Sequence, residues 1–170
     1  MKDIKLIVLD VDGTLTDGKI YIDSLGNEIK AFNVKDGMAI AQAIKHGIDC
    51  AIITGRNSKI VNKRASELGI KHVYQGIHNK KEQLDFILND LNLDYSNCAY
   101  IGDDINDLEV MKQVKFSACP NDAAIEIIEC SDFVSIYNGG DGAVRDIIER
   151  ILKKQELWNE IITKYKGIAQ

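Results

Sequence analysis

The sequence lacks a surplus of basic residues. Its 21 lysine and arginine residues are outnumbered by 26 aspartate and glutamate residues, for a formal net charge of −5. Sequence-independent binding to nucleic acid depends on a basic surface, so we expect no nucleic-acid partner. The sequence also has no apolar run long enough to span a membrane and no signal-peptide pattern at its N-terminus. We therefore expect no membrane partner.

Closely spaced cysteines are absent as well. Cys50, Cys98, Cys119 and Cys130 lie far apart in the sequence and form no C-x-x-C pair. This usage is typical of small buried side chains in a reducing compartment, and it predicts a cytoplasmic protein. The sequence has no internal repeat or low-complexity linker, and 170 residues suffice for one domain with a sizeable core. We expect a single domain over residues 1–170.

Short apolar segments alternate along the chain with segments of helical periodicity. The predicted strands are residues 4–9, 50–53, 72–74, 98–101, 115–118 and 133–136. The predicted helices are residues 36–46, 57–68 with Asn57 as the N-cap, 79–91, a segment through 111, 123–129 and 142–152. Short loops between alternating strands and helices predict an α/β fold with a doubly wound parallel sheet and right-handed crossovers.

Two segments stand outside this alternation. Residues 18–33 contain two short alternating stretches around the turn residues 25–27, which predicts a β-hairpin. Because the hairpin is inserted between the first strand and the first helix, we expect it to project over the end of the sheet. The tail over residues 153–170 is mixed, with Trp158 and Tyr165 among its apolar residues. This tail could dock on the body of the protein or on a neighbouring subunit.

The first predicted strand ends in a pair of acids. The apolar run Ile4–Leu9 delivers Asp10 at its carboxyl end, Asp12 follows, and Gly13 and Thr14 bend the chain away. Ligands of open α/β sheets bind outside the carboxyl ends of the strands. Two carboxylates held close together there favour a divalent cation, which prefers oxygen ligands. The motif predicts a metal-assisted site, although Asp-x-Asp-Gly is also a common strand-ending turn.

Other polar residues follow later strands, and parallel strands bring these ends to one edge of the sheet. They are Thr54, the helix start Asn79-Lys80, and the acids Asp103, Asp104 and Asp107. A carboxylate can act as a covalent nucleophile, a hydroxyl and a lysine can hold a phosphoryl group, and the later acids can complete a metal shell. Each residue alone also has an ordinary role, such as a solvated lysine or an acid in a first helical turn. Their conjunction indicates phosphoryl chemistry.

These motifs resemble those of a known superfamily. D-V-D-G-T (10–14), I-I-T-G-R (52–56), Lys80 and I-G-D-D-I-N-D (101–107) are similar, in that order, to the four motifs of the haloacid-dehalogenase-like phosphatases. The resemblance implies that Asp10 attacks phosphorus as the nucleophile and that Asp12 is the general acid and base. It also implies that Thr54 and Lys80 bind the phosphoryl group.

The same resemblance implies a magnesium ion. Its ligands would be Asp10, the backbone carbonyl of Asp12, and Asp103. Asp104 and Asp107 would be supporting acids.

A closer resemblance is to the 3-deoxy-D-manno-octulosonate (KDO) 8-phosphate phosphatases. It rests on the segments 15–21, 30–37, 54–56, 74–76 and 139–146. The resemblance implies a fold without a cap domain and a homotetramer in which the hairpin and a neighbour's C-terminal tail cover the site. It implies a sugar-acid phosphate as the substrate, whose carboxylate suits the paired donors of arginine. The implied substrate-binding residues are Asp12, Asn33, Val34, Lys35, Asp36, Gly37, Arg56, Arg64 and Lys80.

Three alternatives remain beside this interpretation. A sister family acts on nonulosonate (sialic-acid-like) 9-phosphates. Its pattern resembles T-G-E where this chain has T-G-R (54–56), and it carries a lysine where this chain has Glu67. Arg56 and Glu67 therefore favour the octulosonate as the substrate. Ala41 and Asp141 depart from the octulosonate pattern and leave the nonulosonate open. A receiver-like phosphoacceptor domain carries its acid on the third strand, which here ends in Gln75-Gly76. A non-catalytic scaffold is disfavoured because every acid that the chemistry needs is present.

Overall fold

The computed structural model describes residues 1–167 of the chain. Its strands are β1 (Leu6–Leu9), β2 (Tyr21–Ile22), β3 (Glu28–Ile29), β4 (Asp49–Thr54), β5 (His72–Gln75), β6 (Cys98–Ile101), β7 (Phe116–Cys119) and β8 (Phe133–Val134). Its helices are α1 (Val34–Lys45), α2 (Lys59–Leu68), α3 (Lys80–Asp90), α4 (Leu108–Met111), α5 (Ile125–Cys130), α6 (Ala143–Lys154) and α7 (Leu157–Tyr165).

Six of the strands form one sheet in the order β5-β4-β1-β6-β7-β8, and every neighbouring pair is parallel. Helices connect the strands and cover both faces of the sheet, so the predicted doubly wound α/β fold is confirmed. The two-stranded antiparallel hairpin β2-β3 is inserted between β1 and α1, as predicted. Between β1 and α1, where a cap domain would be inserted, the chain forms only this hairpin. Residues 1–167 therefore contain no cap domain.

The central strand β1 is buried on both faces, which explains its unbroken apolar sequence. Ile7 and Leu9 belong to the core beneath α1, α2, α6 and α7. Leu6 and Val8 belong to the core beneath α3, α4 and α5. Because successive side chains of a strand point to opposite faces, one four-residue strand contributes to both cores.

The N-cap predicted for α2 is wrong. Helix α2 begins at Lys59 with Ser58 as its N-cap, and not after an N-cap at Asn57. The side chain of Asn57 lies instead against Gly76, where a Cβ atom on residue 76 would come within 2.7 Å of the Asn57 Nδ2 atom. Gly69 ends α2 in the left-handed conformation, with a φ of 78°, as its position in the sequence predicts.

The C-terminal tail packs on the body of the same chain. Helix α6 extends to Lys154, and α7 places Ile161 at 2% exposure and Trp158 against the core. Gln42 of α1 donates a hydrogen bond from Nε2 to the Tyr165 hydroxyl at 3.1 Å. The last three residues of the predicted tail lie outside the described residues. No helix within residues 1–167 combines the length and the apolar character needed to cross a membrane.

Candidate active site

The register of the sheet brings the sequence motifs together. Leu9, the last residue of β1, lies beside Ile101, the last residue of β6, and beside Ile52, two residues before the end of β4. The Asp10 amide donates a hydrogen bond to the Ile101 carbonyl at 2.9 Å. Thr54, the last residue of β4, is 2% exposed. The motif residues that follow the strands therefore share one edge of the sheet.

Three acids converge at this edge. Asp10, Asp103 and Asp107 each offer a carboxylate oxygen, and these three atoms lie within 4.8 Å of one another. A Cβ atom on Gly13 would overlap the Asp103 carboxylate, so the glycine of the D-V-D-G-T motif leaves the space that this acid occupies. The Thr14 hydroxyl donates a hydrogen bond to Asp103 Oδ1 at 2.8 Å. The sequence predicted Asp10 and Asp103 as metal ligands and Asp107 as a supporting acid, and all three lie together at this edge.

Lys80 is buried between two of these acids. Its Nζ atom lies 3.0 Å from Asp10 Oδ1 and 2.6 Å from Asp107 Oδ1, and the residue is 3% exposed. Lys80 is the first residue of α3, whose N-cap Asn79 accepts a hydrogen bond from the backbone of Glu82. The solvated role that a lysine commonly has at a helix start does not apply to Lys80.

Tyr100 of β6 belongs to the same network, and the motifs did not single it out. Its fully buried hydroxyl donates a hydrogen bond to Asp107 Oδ1 at 2.7 Å. The alternation of β6 turns its side chain to the face that carries α3, where Asp107 and Lys80 meet. The sequence signal that could have identified Tyr100 is its position in the strand that leads into the acidic motif, where successive side chains point to opposite faces.

The pKa values of the cluster reflect charges held out of water. Burial raises the pKa of Asp10 to about 6, helped by the negative charge of Asp107 and opposed by Lys80. Burial likewise raises the pKa of Asp103 to about 7. Burial acts to lower the pKa of Lys80, but the charges of Asp10 and Asp107 outweigh it and the net shift is upward. A divalent cation with a preference for oxygen ligands would relieve this repulsion, so the acids fit Mg²⁺.

Asp104 lies outside the cluster. It is exposed, and its Oδ1 atom accepts a hydrogen bond from the Ile105 amide at 2.8 Å, which caps a short 3₁₀ turn. Asp107 is fully buried and its Oδ2 atom accepts a hydrogen bond from the Asp103 amide at 3.3 Å. The two residues that the sequence grouped as supporting acids therefore have different surroundings.

Asp12 belongs to a second group, which we call the charge ring and which consists of Asp12, Glu28, Lys30 and Arg56. Lys30 Nζ donates a hydrogen bond to Asp12 Oδ1 and lies 3.5 Å from Glu28 Oε1. Arg56 Nε lies 3.8 Å from Asp12 Oδ2, and an Arg56 Nη2–H group donates to Glu28 Oε1 at 3.0 Å. Two acids and two bases thus alternate around the ring.

The charge ring connects the hairpin to the active-site loops. Glu28 is the first residue of β3, and Lys30 directly follows that strand. Asp12 lies in the loop after β1, and Arg56 in the loop after β4. The sequence motifs predict roles for Asp12 and Arg56 but none for Glu28 or Lys30. The signal was the alternation E-I-K, which places residues 28 and 30 on one face of an extended strand.

The segment Asn33–Gly37 forms the start of α1. Asn33 caps the helix by accepting a hydrogen bond from the Lys35 amide at 2.8 Å, and Val34 and Lys35 are exposed. Asp36 is 2% exposed, and its Oδ1 atom accepts a hydrogen bond from the Arg145 amide in the first turn of α6 at 2.7 Å. The carboxylate of Asp36 thus holds the start of another helix.

Arg64 lies beside Gly37, away from the charge ring. A Cβ atom on Gly37 would overlap the Arg64 guanidinium, which sits 5.9 Å from the centre of the Phe32 ring and 3.3 Å from Glu67 Oε2. Among residues 1–167, no hydrogen bond or ion pair connects Arg64 to the charge ring. Apart from Lys80, which lies in the acid cluster, the predicted substrate-binding residues therefore fall into two groups, one around Asp12 and one around the start of α1.

The fold and the acid cluster define a class of protein. Residues 31–115 match the family of haloacid dehalogenase-like hydrolases. This range contains Thr54, Lys80 and the acids at 103 and 107, and it begins after the D-V-D-G-T motif. The match and the site together identify a hydrolase of this class.

Relatives over nearly the whole chain narrow the class to one family. The chain is 44% identical over 154 residues to the 3-deoxy-D-manno-octulosonate 8-phosphate phosphatase KdsC of Escherichia coli K12, which covers 91% of this chain and 82% of the relative. The phosphatase of the same name from Moraxella catarrhalis, solved in complex with a magnesium ion, a phosphate ion and a KDO molecule, superposes with a TM-score of 0.95. Its sequence is 41% identical, and the alignment covers 96% of this chain and 94% of that one.

A cobalt-bound deoxy-D-mannose-octulosonate 8-phosphate phosphatase from Haemophilus influenzae superposes with a TM-score of 0.88. It is 34% identical, with 92% of each chain covered. This chain belongs to the family of the 3-deoxy-D-manno-octulosonate 8-phosphate phosphatases.

Proposed function

We propose that this protein hydrolyses 3-deoxy-D-manno-octulosonate 8-phosphate to the free sugar acid and inorganic phosphate. The observation that carries the proposal is the cluster of Asp10, Lys80, Asp103 and Asp107, in a chain 44% identical over most of its length to phosphatases for this substrate. The protein is a phosphoric monoester hydrolase, and its cofactor is Mg²⁺.

Asp10 is the nucleophile of the proposed reaction. One of its carboxylate oxygens attacks phosphorus while the bond between phosphorus and the O8 atom of the sugar breaks, which leaves an aspartyl-phosphate. Lys80, 3.0 Å from Asp10 Oδ1, and the buried Thr54 hydroxyl hold the phosphoryl oxygens. Lys80 thereby offsets negative charge at the nucleophile and at the transferring group.

Asp12 handles the proton in both halves of the reaction. It donates a proton to O8 as the sugar leaves, and it then accepts a proton from the water that attacks the aspartyl-phosphate. The second step releases inorganic phosphate and restores the Asp10 carboxylate. Asp12 follows Asp10 by two residues, so the turn after β1 carries both groups.

Mg²⁺ would be held by the carboxylates of Asp10 and Asp103 and by the backbone carbonyl of Asp12. When bound, the ion neutralises negative charge on the phosphoryl group and on the acids around it. Asp107 supports the cluster through Lys80 and the Asp103 amide. Asp104 lies outside the cluster and supports the loop by capping its turn.

The carboxylate of the sugar acid favours a cationic partner at the site. Arg56 is half-exposed, with 49% of its side chain accessible, and it already donates a hydrogen bond to the Glu28 carboxylate. Its paired donors suit the carboxylate of the substrate. Arg64 and the segment Asn33–Gly37, around the start of α1, are proposed to contact the remainder of the sugar.

Two substrates measured side by side test the proposal. Phosphate release with Mg²⁺ should be strongly faster from KDO 8-phosphate than from a nonulosonate 9-phosphate. Asp10→Asn should stay folded and release almost no phosphate, because an amide is a poor nucleophile. A preference for the nonulosonate would overturn the substrate but not the chemistry, and turnover by pure Asp10→Asn would overturn the covalent route.

We further propose a cytoplasmic homotetramer that binds neither nucleic acid nor membranes. Ile20, Ile22, Leu25 and Ile29 of the hairpin are 53–85% exposed, an apolar surface of the kind that subunit contacts cover. All four cysteines are free thiols, as in a reducing compartment. Light scattering coupled to size-exclusion chromatography should give four times the chain mass of 18.9 kDa. Cell fractionation should recover the protein with the cytoplasmic fraction.

A further inference from the structure

Lys30 is a buried base that the proposed reaction does not use. Its side chain is 3% exposed although it comes from the hairpin, whose large apolar side chains are exposed. A buried ammonium group is stable only when it is paired. Lys30 has two partners, the carboxylates of Asp12 and Glu28.

The hairpin meets the active site through charged side chains. Ile22, Leu25 and Ile29 are more than half exposed, so they do not hold the hairpin against the body of this chain. Glu28 and Lys30, on the opposite face from Ile29, point to Asp12 and Arg56. The contacts of the charge ring therefore connect the hairpin to Asp12, so the position of the hairpin affects the orientation of the Asp12 carboxyl group.

The two oxygens of Asp12 are held unequally. Lys30 makes a hydrogen bond to Oδ1, whereas Arg56 Nε stays 3.8 Å from Oδ2, beyond hydrogen-bond distance. Glu28 in turn holds Lys30 and Arg56 in place. The orientation of the Asp12 carboxyl group thus depends chiefly on Lys30.

We propose that Lys30 is a positioning residue that holds the carboxyl group of Asp12 in the orientation for proton transfer to the leaving group. The proposal rests on the role given to Asp12 in the proposed function. Proton transfer requires the donor within hydrogen-bond reach of the oxygen that leaves, and a carboxyl group free to rotate spends less time there. Lys30 itself contacts neither phosphorus nor the nucleophile in this reaction.

Substrates whose leaving groups differ in basicity distinguish a positioning role of Lys30 from its other possible roles. A basic leaving oxygen needs the proton of Asp12, whereas a weakly basic one departs with little help. Phenyl phosphate and 4-nitrophenyl phosphate differ in this respect, and neither carries a carboxylate. Loss of Lys30 should therefore slow the hydrolysis of phenyl phosphate much more than that of 4-nitrophenyl phosphate.

Lys30→Met tests the proposal in the full-length protein with Mg²⁺. We expect kcat for phenyl phosphate to fall by at least about tenfold more than kcat for 4-nitrophenyl phosphate, with KM for both nearly unchanged. Lys30→Arg should restore part of the loss. Lys19→Met is the matched control, because Lys19 precedes the same hairpin with 72% of its side chain exposed, and it should leave both rates unchanged.

Equal losses on the two substrates would overturn the proposal, because a structural role does not depend on the leaving group. A rise in KM alone would also overturn the proposal, because it would make Lys30 a substrate contact. A rise in kcat would overturn it as well, because Lys30 would then hold Asp12 away from the substrate. Thermal unfolding checks the fold of each variant, and Lys30→Gln takes the place of Lys30→Met if the latter does not fold.

Asp12→Asn separates failure of this inference from failure of the proposed function. It should show the same discrimination between the two aryl phosphates. If it does not, the role of Asp12 is wrong and Lys30 has no proton donor to position. If the wild-type protein hydrolyses both aryl phosphates but not KDO 8-phosphate, the proposed substrate is wrong, and the result with Lys30→Met still decides the positioning role.

Discussion

Lys80 allows two acids, Asp10 and Asp107, to be buried at one end of the sheet. An unpaired buried charge is costly, and Lys80 pairs with Asp10 and Asp107 at 3.0 and 2.6 Å. Asp107 also accepts hydrogen bonds from the Tyr100 hydroxyl and the Asp103 amide, so both of its oxygens have partners. Asp107 therefore links the lysine, the acid loop and β6 into one network.

Tyr100→Phe should weaken this network. Removing the hydroxyl takes one donor from the buried Asp107, and we expect the free energy of unfolding to fall by about 1 to 3 kcal/mol. Urea unfolding measures the change. Tyr95→Phe is the control, because the Tyr95 hydroxyl donates to Asp85 at a partly exposed site and its loss should cost less. Equal costs would mean that the buried network adds nothing beyond an ordinary hydrogen bond.

Arg56→Ala tests whether Arg56 binds the carboxylate of the sugar or the phosphoryl group. If Arg56 holds the sugar carboxylate, kcat/KM for KDO 8-phosphate should fall by roughly 10- to 100-fold more than for 4-nitrophenyl phosphate, since a charge-assisted hydrogen bond contributes about 1.5 to 3 kcal/mol. Steady-state kinetics with both substrates provide the measurement. Equal losses would place Arg56 at the phosphoryl group.

At the scale of elements, α1 supplies the cap that α6 does not have. The N-cap of α6 is Gly142, which has a φ of 104° and no side chain to accept the first amides of the helix. Asp36 of α1 accepts from the Arg145 amide instead. A negative charge near a helix N-terminus is favourable, so one carboxylate joins two helices.

The cost of this cap is the burial of Asp36, which raises its pKa to about 6. The unfolded chain loses the proton near pH 4, while the folded chain keeps it until about pH 6. The folded state therefore binds more protons in this window, and the free energy of unfolding falls by up to about 3 kcal/mol as the pH rises through it.

Asp36→Asn should remove this pH dependence while it keeps an acceptor for the Arg145 amide. Urea unfolding of metal-free protein should show the variant gaining stability relative to the wild type between pH 4 and pH 7. Asp49→Asn, at an exposed position, should follow the wild-type curve. Parallel curves for Asp36→Asn and the wild type would contradict the assignment.

At the scale of the whole molecule, Mg²⁺ and protons compete for the acid cluster. The raised pKa values of Asp10 and Asp103, about 6 and about 7, mean that the folded protein without metal holds protons that the unfolded chain has lost. These two groups therefore make the metal-free protein less stable as the pH rises from about 4 to about 7. Above that window the acids are free to bind a cation.

Thermal unfolding at pH 5 and pH 8 tests this competition. Mg²⁺ should raise Tm more at pH 8 than at pH 5, because at pH 5 it must displace protons from Asp10 and Asp103. Asp103→Asn should largely abolish the effect, while Asp104→Asn should keep it, because Asp104 lies outside the cluster. The same rise in Tm at both pH values would contradict the proton competition.

Much of the fold and part of the site could be predicted from sequence. The strands and helices follow from local periodicity, and parallel strands necessarily share one carboxyl edge, so Asp10, Lys80 and Asp103 were expected to meet. The N-cap of α2 could not be predicted, because Asn57 packs against Gly76 of a different loop. Capping depends on where the side chain points, and here a tertiary contact decides that.

The doubly wound fold and the class of chemistry follow from the sequence, because periodicity, turn residues and motif order can be recognised along the chain. The partners of the motif residues depend on tertiary packing. Lys30 reaches Asp12, and Tyr100 reaches Asp107. Gly139 packs so closely that a Cβ atom there would overlap the Gly13 carbonyl. These contacts depend on the packing of the hairpin, the sheet and the loops against one another, and residues distant in sequence meet only when that packing is complete.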